Sequence, residues 1–369
     1  MDSSLQAAHL GVQVDTIPDD AKFIQDFLEP CLPYSLPLLR RCQSHTKQKH
    51  LTPSAEVCLI TCSTISDTNS PKARNSISSN HETEIFDKRP WLAAYIDLTN
   101  SGQTQIWTFA SWEVDFGKES NPAKAVLASP GYPAYKILFD TLLRRIQTEH
   151  ISKLSHDPPE QWQRLKLEGK RISEPFSRSK ILFGTIAECL WPFLSHCHIA
   201  REDKSYLKYI VTSQTQAHHE PTTPPNLHFA KIPEQHLQTI IDRTDIPRTI
   251  ESIRQLPNIG LFDEHNVPVA WGFLSNDGSI SSLHTEPEYR GRGLAELVAR
   301  QLILEQKVFY PDTENGTGDS LPSDSVAEAV IYSDANVSVG NLASRRVMEK
   351  IGGEVMWKVA WVEIDLGEP

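Results

Sequence analysis

Apolar residues recur at helical spacing over residues 294–308, at Leu294, Leu297, Val298, Leu302, Ile303 and Val308, with Glu and Arg between them. The spacing predicts an amphipathic helix. Ahead of it, Pro268-Val269-Ala270-Trp271-Gly272-Phe273-Leu274 and residues 279–285 read as strands. Asn276-Asp277-Gly278 between them predicts a hairpin, because Asp-Gly tolerates the positive φ of tight turns. Beyond the helix, residues 329–333 read as a strand. A second helix opens near Asn341 and stops at Gly352-Gly353, and residues 357–366 alternate as a closing strand.

The N-terminal half shows helical patterns at 24–28, 36–42 and 135–151, the last through Ile137, Leu138, Leu142, Leu143 and Ile146. Strand-like runs occupy 55–62, 91–98 and 104–114, the last two joined by Asn100-Ser101-Gly102, and the apolar run 178–194 is expected to be buried. Strands followed by helices predict an α+β domain. Residues 66–82, rich in Ser, Asn and charge, are expected to be a disordered loop, and 311–325 a polar surface excursion. Pro221, Pro224 and Pro225 mark a linker. The expected organisation is an N-terminal α+β domain over 1–213, a linker over 214–226 and a second domain over 227–369.

The chemistry concentrates where the strand at 279–285 meets the helix. Arg290-Gly291-Arg292-Gly293-Leu294-Ala295 is a glycine-bearing loop at a helix start, where glycines let the backbone approach an anion and unpaired N–H groups point at it. Arg290 and Arg292 add positive charge. A P-loop is excluded by the missing Gly-Lys-Ser/Thr ending, and the dinucleotide fingerprint by the missing third glycine.

This loop matches Arg/Gln-x-x-Gly-x-Gly/Ala, and with its flanking strands it resembles the GCN5-related N-acetyltransferase (GNAT) superfamily. Pro268-Val269-Ala270-Trp271, Asp277-Gly278 and Pro287-Glu288-Tyr289-Arg290 resemble the C-terminal domain of glycine N-acyltransferase-like (FR47-like) proteins. The resemblance implies a central mixed, mostly antiparallel sheet flanked by helices over 227–369. The N-terminal half is then either a degenerate lobe of that fold, lacking a loop of its own, or simple support.

It further implies an acyl-CoA co-substrate, acetyl-CoA or another, with its pyrophosphate on Arg290, Gly291, Arg292, Gly293, Leu294 and Ala295. The pantetheine arm would lie along Leu283 to Thr285, and Asn341 would contact the carrier. Relatives keep a tyrosine acid in the last helix and a glutamate base after the hairpin; here those positions hold Met348 and Ser279. Replacement candidates are His284 and Glu286 as base and Tyr332 as acid, with Trp271 and Phe273 as candidates for lining the acceptor pocket. The expected function is N-acyl transfer to a small-molecule amine or amino acid. The alternative is a non-catalytic acyl-CoA sensor, which the missing acid and base would suit.

Composition narrows the partners. A net charge of −11 gives no basic field for nucleic acid, and no run of eighteen apolar residues predicts a membrane span. The first residues lack the basic or apolar features of a targeting segment, so a cytoplasmic protein is expected. His196-Cys197-His198 lacks the second ligand pair of a zinc site, so no metal is expected.

Overall fold

The computed structural model describes residues 11–17, 21–48, 50, 52–63, 89–215, 222–244, 246–310 and 330–369. The stretches expected as loops at 66–82 and 311–325 lie outside them, as does Ala329. The strands are β1 (Gly11–Thr16), β2 (Glu56–Ser63), β3 (Trp91–Ile96), β4 (Ile106–Ala110), β5 (Lys180–Ala187) and β6 (His198–Thr212), then β7 (His228–Ala230), β8 (Asn258–Phe262), β9 (Pro268–Leu274), β10 (Ile280–Thr285), β11 (Tyr332–Ser338) and β12 (Glu354–Asp365). The α-helices are α1 (Ala21–Leu28), α2 (Leu36–Lys47), α3 (Glu113–Phe116), α4 (Pro122–Ala128), α5 (Tyr132–Arg145), α6 (Glu160–Leu167) and α7 (Trp191–Leu194), then α8 (Leu237–Asp242), α9 (Ile250–Arg254), α10 (Leu294–Phe309) and α11 (Leu342–Lys350).

All the strands join one mixed sheet in the order β1-β2-β3-β4-β5-β12-β6-β11-β10-β9-β8-β7. The order is symmetric: adding six to β1 through β5 gives β7 through β11 as read from the other edge, and β12 and β6 fill the sixth place of each half. Two lobes of like design therefore share the sheet, and they exchange their last strands. β12, from the chain's end, pairs antiparallel with β5, while β6 pairs antiparallel with β11; β6 and β12 pair with each other as the seam. Within each lobe the fourth and fifth strands run parallel and touch at a single ladder position, Ile106↔Phe183 in one and Ile280↔Ala335 in the other.

The strands that cross the middle of each lobe are the most apolar. β3 (WLAAYI) and β9 (PVAWGFL) are buried along their whole length, as continuous apolar runs covered on both faces should be. In the N-terminal lobe Leu92, Ile106, Phe139, Phe183 and Phe193 form the core with Val359 and Ile364 of the exchanged β12. In the C-terminal lobe α10 lays Leu297, Val298 and Leu302 on Val269, Leu274 and Ile280. The opposite face buries Trp271 and Phe273 against Ile240, Ile241 and Ile253 of α8 and α9.

Three elements depart from the sequence pattern. The strand expected over 329–333 is β11, which runs on to Ser338 because its one buried carboxylate, Asp334, meets Lys208 of β6 at 2.5 Å, both side chains fully buried. The strand expected over 104–114 stops at Ala110, whose N–H is taken by the buried Glu113 carboxyl at 2.8 Å, and α3 begins there. The long β6, with Arg201, Glu202 and Asp203 along it, has no counterpart in the expectations; its charges are half-buried at the seam, where Arg201 and Asp203 face each other at 3.6 Å.

Candidate functional site

β10 is distorted where the chemistry was expected. It pairs with β9 at Ser281↔Phe273, then shifts so that His284 faces Trp271. Two β10 residues thus oppose one on β9, and Ser282 takes a φ of 49° to make this bulge. The bulge turns the strand away from β11, which it meets only at Ile280. The parallel strands diverge from there, and the backbone of residues 282–285 has no ladder partner on that side. Ser282 Oγ, in the cavity wall, and Thr285 Oγ1 are buried without a partner. Polar atoms this buried are ordinarily hydrogen-bonded, so the cleft has the character of a place for a polar ligand.

The loop closes the wide end of the cleft. After Thr285 the chain makes one turn of 3-10 helix over Pro287–Tyr289. Arg290 Nε donates to Thr285 O at 3.0 Å, and Arg292 Nη2 donates to Glu288 O at 3.0 Å, which pins the turn. Gly291 and Gly293 both sit at left-handed φ, 77° and 78°, and a Cβ on either would meet nothing within 4 Å. The backbone angle, with an open face beyond it, is what requires glycine. Gly293 is also the N-cap of the 16-residue α10, and no side chain caps that helix. The N–H groups of Leu294, Ala295 and Glu296 are left to an outside acceptor. Among the described residues neither Arg290 nor Arg292 forms an ion pair, and Arg292 lies 5.2 Å from the Tyr289 ring centroid. Uncapped N–H groups, two unpaired cations and glycine clearance fit a pyrophosphate.

His284 and Glu286 come together as alternation requires, with His284 Nε2 3.7 Å from Glu286 Oε2. The His284 ring stacks on Trp271 at 4.6 Å between centroids. Burial holds its pKa below the ordinary histidine value; Glu286 opposes that, while Arg290 and Arg243 add to it. The ring is therefore neutral at pH 7. Glu286 is itself held by Arg243 Nε at 3.1 Å, a partner from the end of α8 that the sequence did not mark.

The other expected residues divide. Asn341 caps α11 by accepting the Ser344 N–H at 3.0 Å, and it lines the same cavity as His284. Met348 is buried in that cavity's wall, and Ser279 spends its hydroxyl on Asp277 Oδ1 at 2.7 Å. Trp271 lines the cavity, whereas Phe273 is fully buried in the core against α8 and α9. Tyr332 is not brought to the site. It lies three residues before Ala335, the position level with Ile280, while His284 lies four residues after that level. With the bulge taking up one residue of β10, this separates them by roughly 20 Å along the strands, so Tyr332 is out of reach as an acid.

The cavity has a volume of about 810 Å³ and is walled by both lobes. The N-terminal lobe contributes Arg41, Asp97, Trp107, Tyr206 and, through the exchanged β12, Trp361 stands beside them. Lys170 Nζ donates to the carbonyls of Ile241 and Thr244 at 3.0 Å, fastening the segment that carries Arg243 and Arg248. No sequence spacing announces this wall, since its parts lie far apart in the chain. Among the described residues no group of three His, Cys, Asp or Glu is placed to hold a metal.

A family model described as the acyl-CoA N-acyltransferase verG N-terminal domain matches residues 12–209, more than half of the chain, and one described as FR47-like protein matches 258–307. No curated protein is matched by the sequence. Among solved structures, a Drosophila melanogaster protein from structural genomics is similar with a TM-score of 0.56 and 11% identity, covering 96% of this chain and 99% of that one. A tandem GNAT protein from the clavulanic acid biosynthesis pathway gives 0.45 and 8%, covering 97% and 100%. A GCN5-related N-acetyltransferase from Sphaerobacter thermophilus gives 0.41 and 13%, covering 97% and 96%.

Proposed function

The chain belongs to the family of the acyl-CoA N-acyltransferase verG N-terminal domain, within the GNAT superfamily and its FR47-like group, and from that premise we propose that it transfers an acyl group from acyl-CoA to the amine of a small molecule or amino acid by direct attack. The observation that carries this is the splayed cleft between β10 and β11, closed by the uncapped, glycine-flanked start of α10. Acyl-CoA supplies a thioester carbonyl activated toward the amine. Arg290, Arg292 and the first N–H groups of α10 hold its pyrophosphate. The backbone of residues 283–285, which has no ladder partner on the β11 side, binds the pantetheine arm as a strand would, and an N–H there stabilises negative charge on the carbonyl oxygen.

His284, kept neutral by burial, takes the proton of the attacking amine, and Glu286, clamped by Arg243, orients the ring and offsets the charge it gains. No acid replaces the tyrosine of relatives at Met348. A thiol with a pKa of about 8.5 leaves as thiolate without one. We assign residues 1–213 and 227–369 to the two lobes, joined by a linker at 214–226, with the first lobe shaping the acceptor cavity. The net charge of −11 suits a cytoplasmic protein; no helix among the described residues is long and apolar enough to cross a membrane.

A matrix of acyl-CoA donors and amines, read by thiol release, tests the proposal. Turnover that falls by about 10²–10⁴-fold in His284→Ala is expected. Saturable acyl-CoA binding with no turnover on any amine would leave the sensor reading, which Met348 favours.

A further inference from the structure

Arg248 enters the cavity just ahead of α9, and its guanidinium is held by neutral groups alone. Nη2 donates to Ser275 Oγ at 2.8 Å and to Ser281 Oγ at 3.1 Å. The two serines are in turn joined to each other at 2.8 Å, and Ser281 donates to Phe273 O at 3.4 Å. The donor is thus aimed by a short hydroxyl chain across the β9–β10 hairpin. Nη1 is buried and has no partner. Among the described residues no carboxylate lies within ion-pair distance of Arg248. Asp277 is the one carboxylate whose field reaches it, and its Oδ1 is occupied by the Ser279 hydroxyl and N–H. Burial lowers the Arg248 pKa to about 10, which still leaves a cation at neutral pH. A half-buried cation with one nitrogen sealed from water and no counter-charge beside it is costly unless something supplies one.

The position of this cation sets what could supply it. Ser281 pairs with Phe273 and His284 with Trp271, two residues away on β9, so the serine that holds the anchor and the base lie about 7 Å apart along the strand. Both line the same cavity. Opposite them the N-terminal lobe and β12 offer aromatic surface: Trp107, and Tyr206 set edge-on to Trp361 with centroids 5.0 Å apart. A volume near 810 Å³ falls among pockets that enclose ligands well above the size of the smallest amino acid.

We propose that Arg248 anchors a carboxylate on the acceptor, so that the acceptor is an amino acid with a large apolar side chain, its amine at His284 and its side chain toward Trp107 and Trp361. This rests on the acyl-transfer reading and names the substrate class for it. A carboxylate oxygen accepting from the free Nη1 would satisfy that donor and neutralise the charge together.

The test uses matched amines on the full chain with saturating acetyl-CoA: phenylalanine, phenethylamine (the same amine without the carboxylate) and glycine (the carboxylate without the side chain). Each is followed by thiol release and, separately, by calorimetric binding. Phenylalanine is expected to exceed phenethylamine by at least 30-fold in kcat/KM and glycine by at least tenfold. Arg248→Met should collapse the preference over phenethylamine to below threefold, and Arg248→Lys should keep part of it; thermal unfolding of both variants checks that they fold. Equal use of phenylalanine and phenethylamine by the unaltered protein, a preference that survives Arg248→Met, or glycine equal to phenylalanine would overturn the proposal. If no amine is turned over, acyl transfer fails as the function and binding decides the anchor. Phenylalanine binding lost in Arg248→Met would uphold it, and equal binding of phenylalanine and phenethylamine would overturn it.

Discussion

The two lobes place the same parallel splay at the same point of the sheet and treat it in opposite ways. In the C-terminal lobe β10 bulges, the following loop is glycine-bearing, and α10 starts at once with its N–H groups uncapped. In the N-terminal lobe β4 pairs with β3 without a bulge, and its end is sealed by side chains. Glu113 turns back to take the Ala110 N–H, and Trp112 stacks on Tyr135 at 4.4 Å and stands edge-on to Phe193. The next long helix there, α5, begins only at Tyr132, more than twenty residues after β4 ends. One splay is left open, and the other has become core. Divergence of two parallel strands is therefore not itself a site. A site needs the glycine loop and the free helix start brought directly to the strand's end.

Breaking the seal should therefore cost stability and leave carrier binding alone. Trp112→Ala is expected to lower the unfolding free energy by about 3–5 kcal/mol in urea titrations, while acetyl-CoA affinity at 25 °C stays within twofold of the unaltered protein.

Glu113 sharpens the same point through pH. Burial raises its pKa to about 8, with the Ala110 N–H opposing. The folded state keeps the proton after the unfolded chain has lost it, so the group's contribution is fully present below the unfolded pKa near 4.5 and declines as pH rises toward 8. Glu113→Gln cannot ionise and should escape that decline. Its stability relative to the unaltered protein should rise by about 2–4 kcal/mol between pH 4.5 and pH 8. A difference that is flat with pH would contradict a buried, protonated Glu113.

On the open side the expected pattern is reversed. Gly293→Val forces a branched side chain to a φ of 78° at the start of α10, beside the proposed pyrophosphate site. It should weaken acetyl-CoA about 10–100-fold in calorimetry, at a stability cost of about 1–2 kcal/mol. The smallest effect concerns His284. Its ring resonances, assigned with His284→Gln, should titrate with a midpoint below 6.5, since burial outweighs the nearby Glu286. A midpoint at or above 6.5 would remove the case for a neutral base.

What the sequence made legible follows this division. The loop from Arg290 to Ala295 and the β9–β10 hairpin are contiguous, and their conformations follow from glycine and Asp-Gly backbone freedom, so their pattern survives in one dimension. His284 and Glu286 were legible for the same reason, as neighbours on one strand face. The seam was not. Asp334 and Lys208 neutralise each other across 126 residues, so each looks like a surface charge on its own and hides the strand that holds it. Arg201 and Asp203 conceal β6 in the same way. Arg243 and Arg248 lie in a polar stretch around Pro247 whose only signal is spatial, because their partners, Glu286 and the two serines, sit on the β9–β10 hairpin and the strand end beyond it. The exchange of β6 and β12 is a matter of which strands pair, and no local periodicity records that.

On the proposed function, one splay binds the acyl carrier and the other does not. Calorimetric titration of acetyl-CoA into the full chain, repeated with Arg292→Glu, tests it most directly. One site per chain is expected in the unaltered protein, and its loss, or a weakening of at least 30-fold, in Arg292→Glu. Two sites per chain, or one site indifferent to Arg292→Glu, would contradict it.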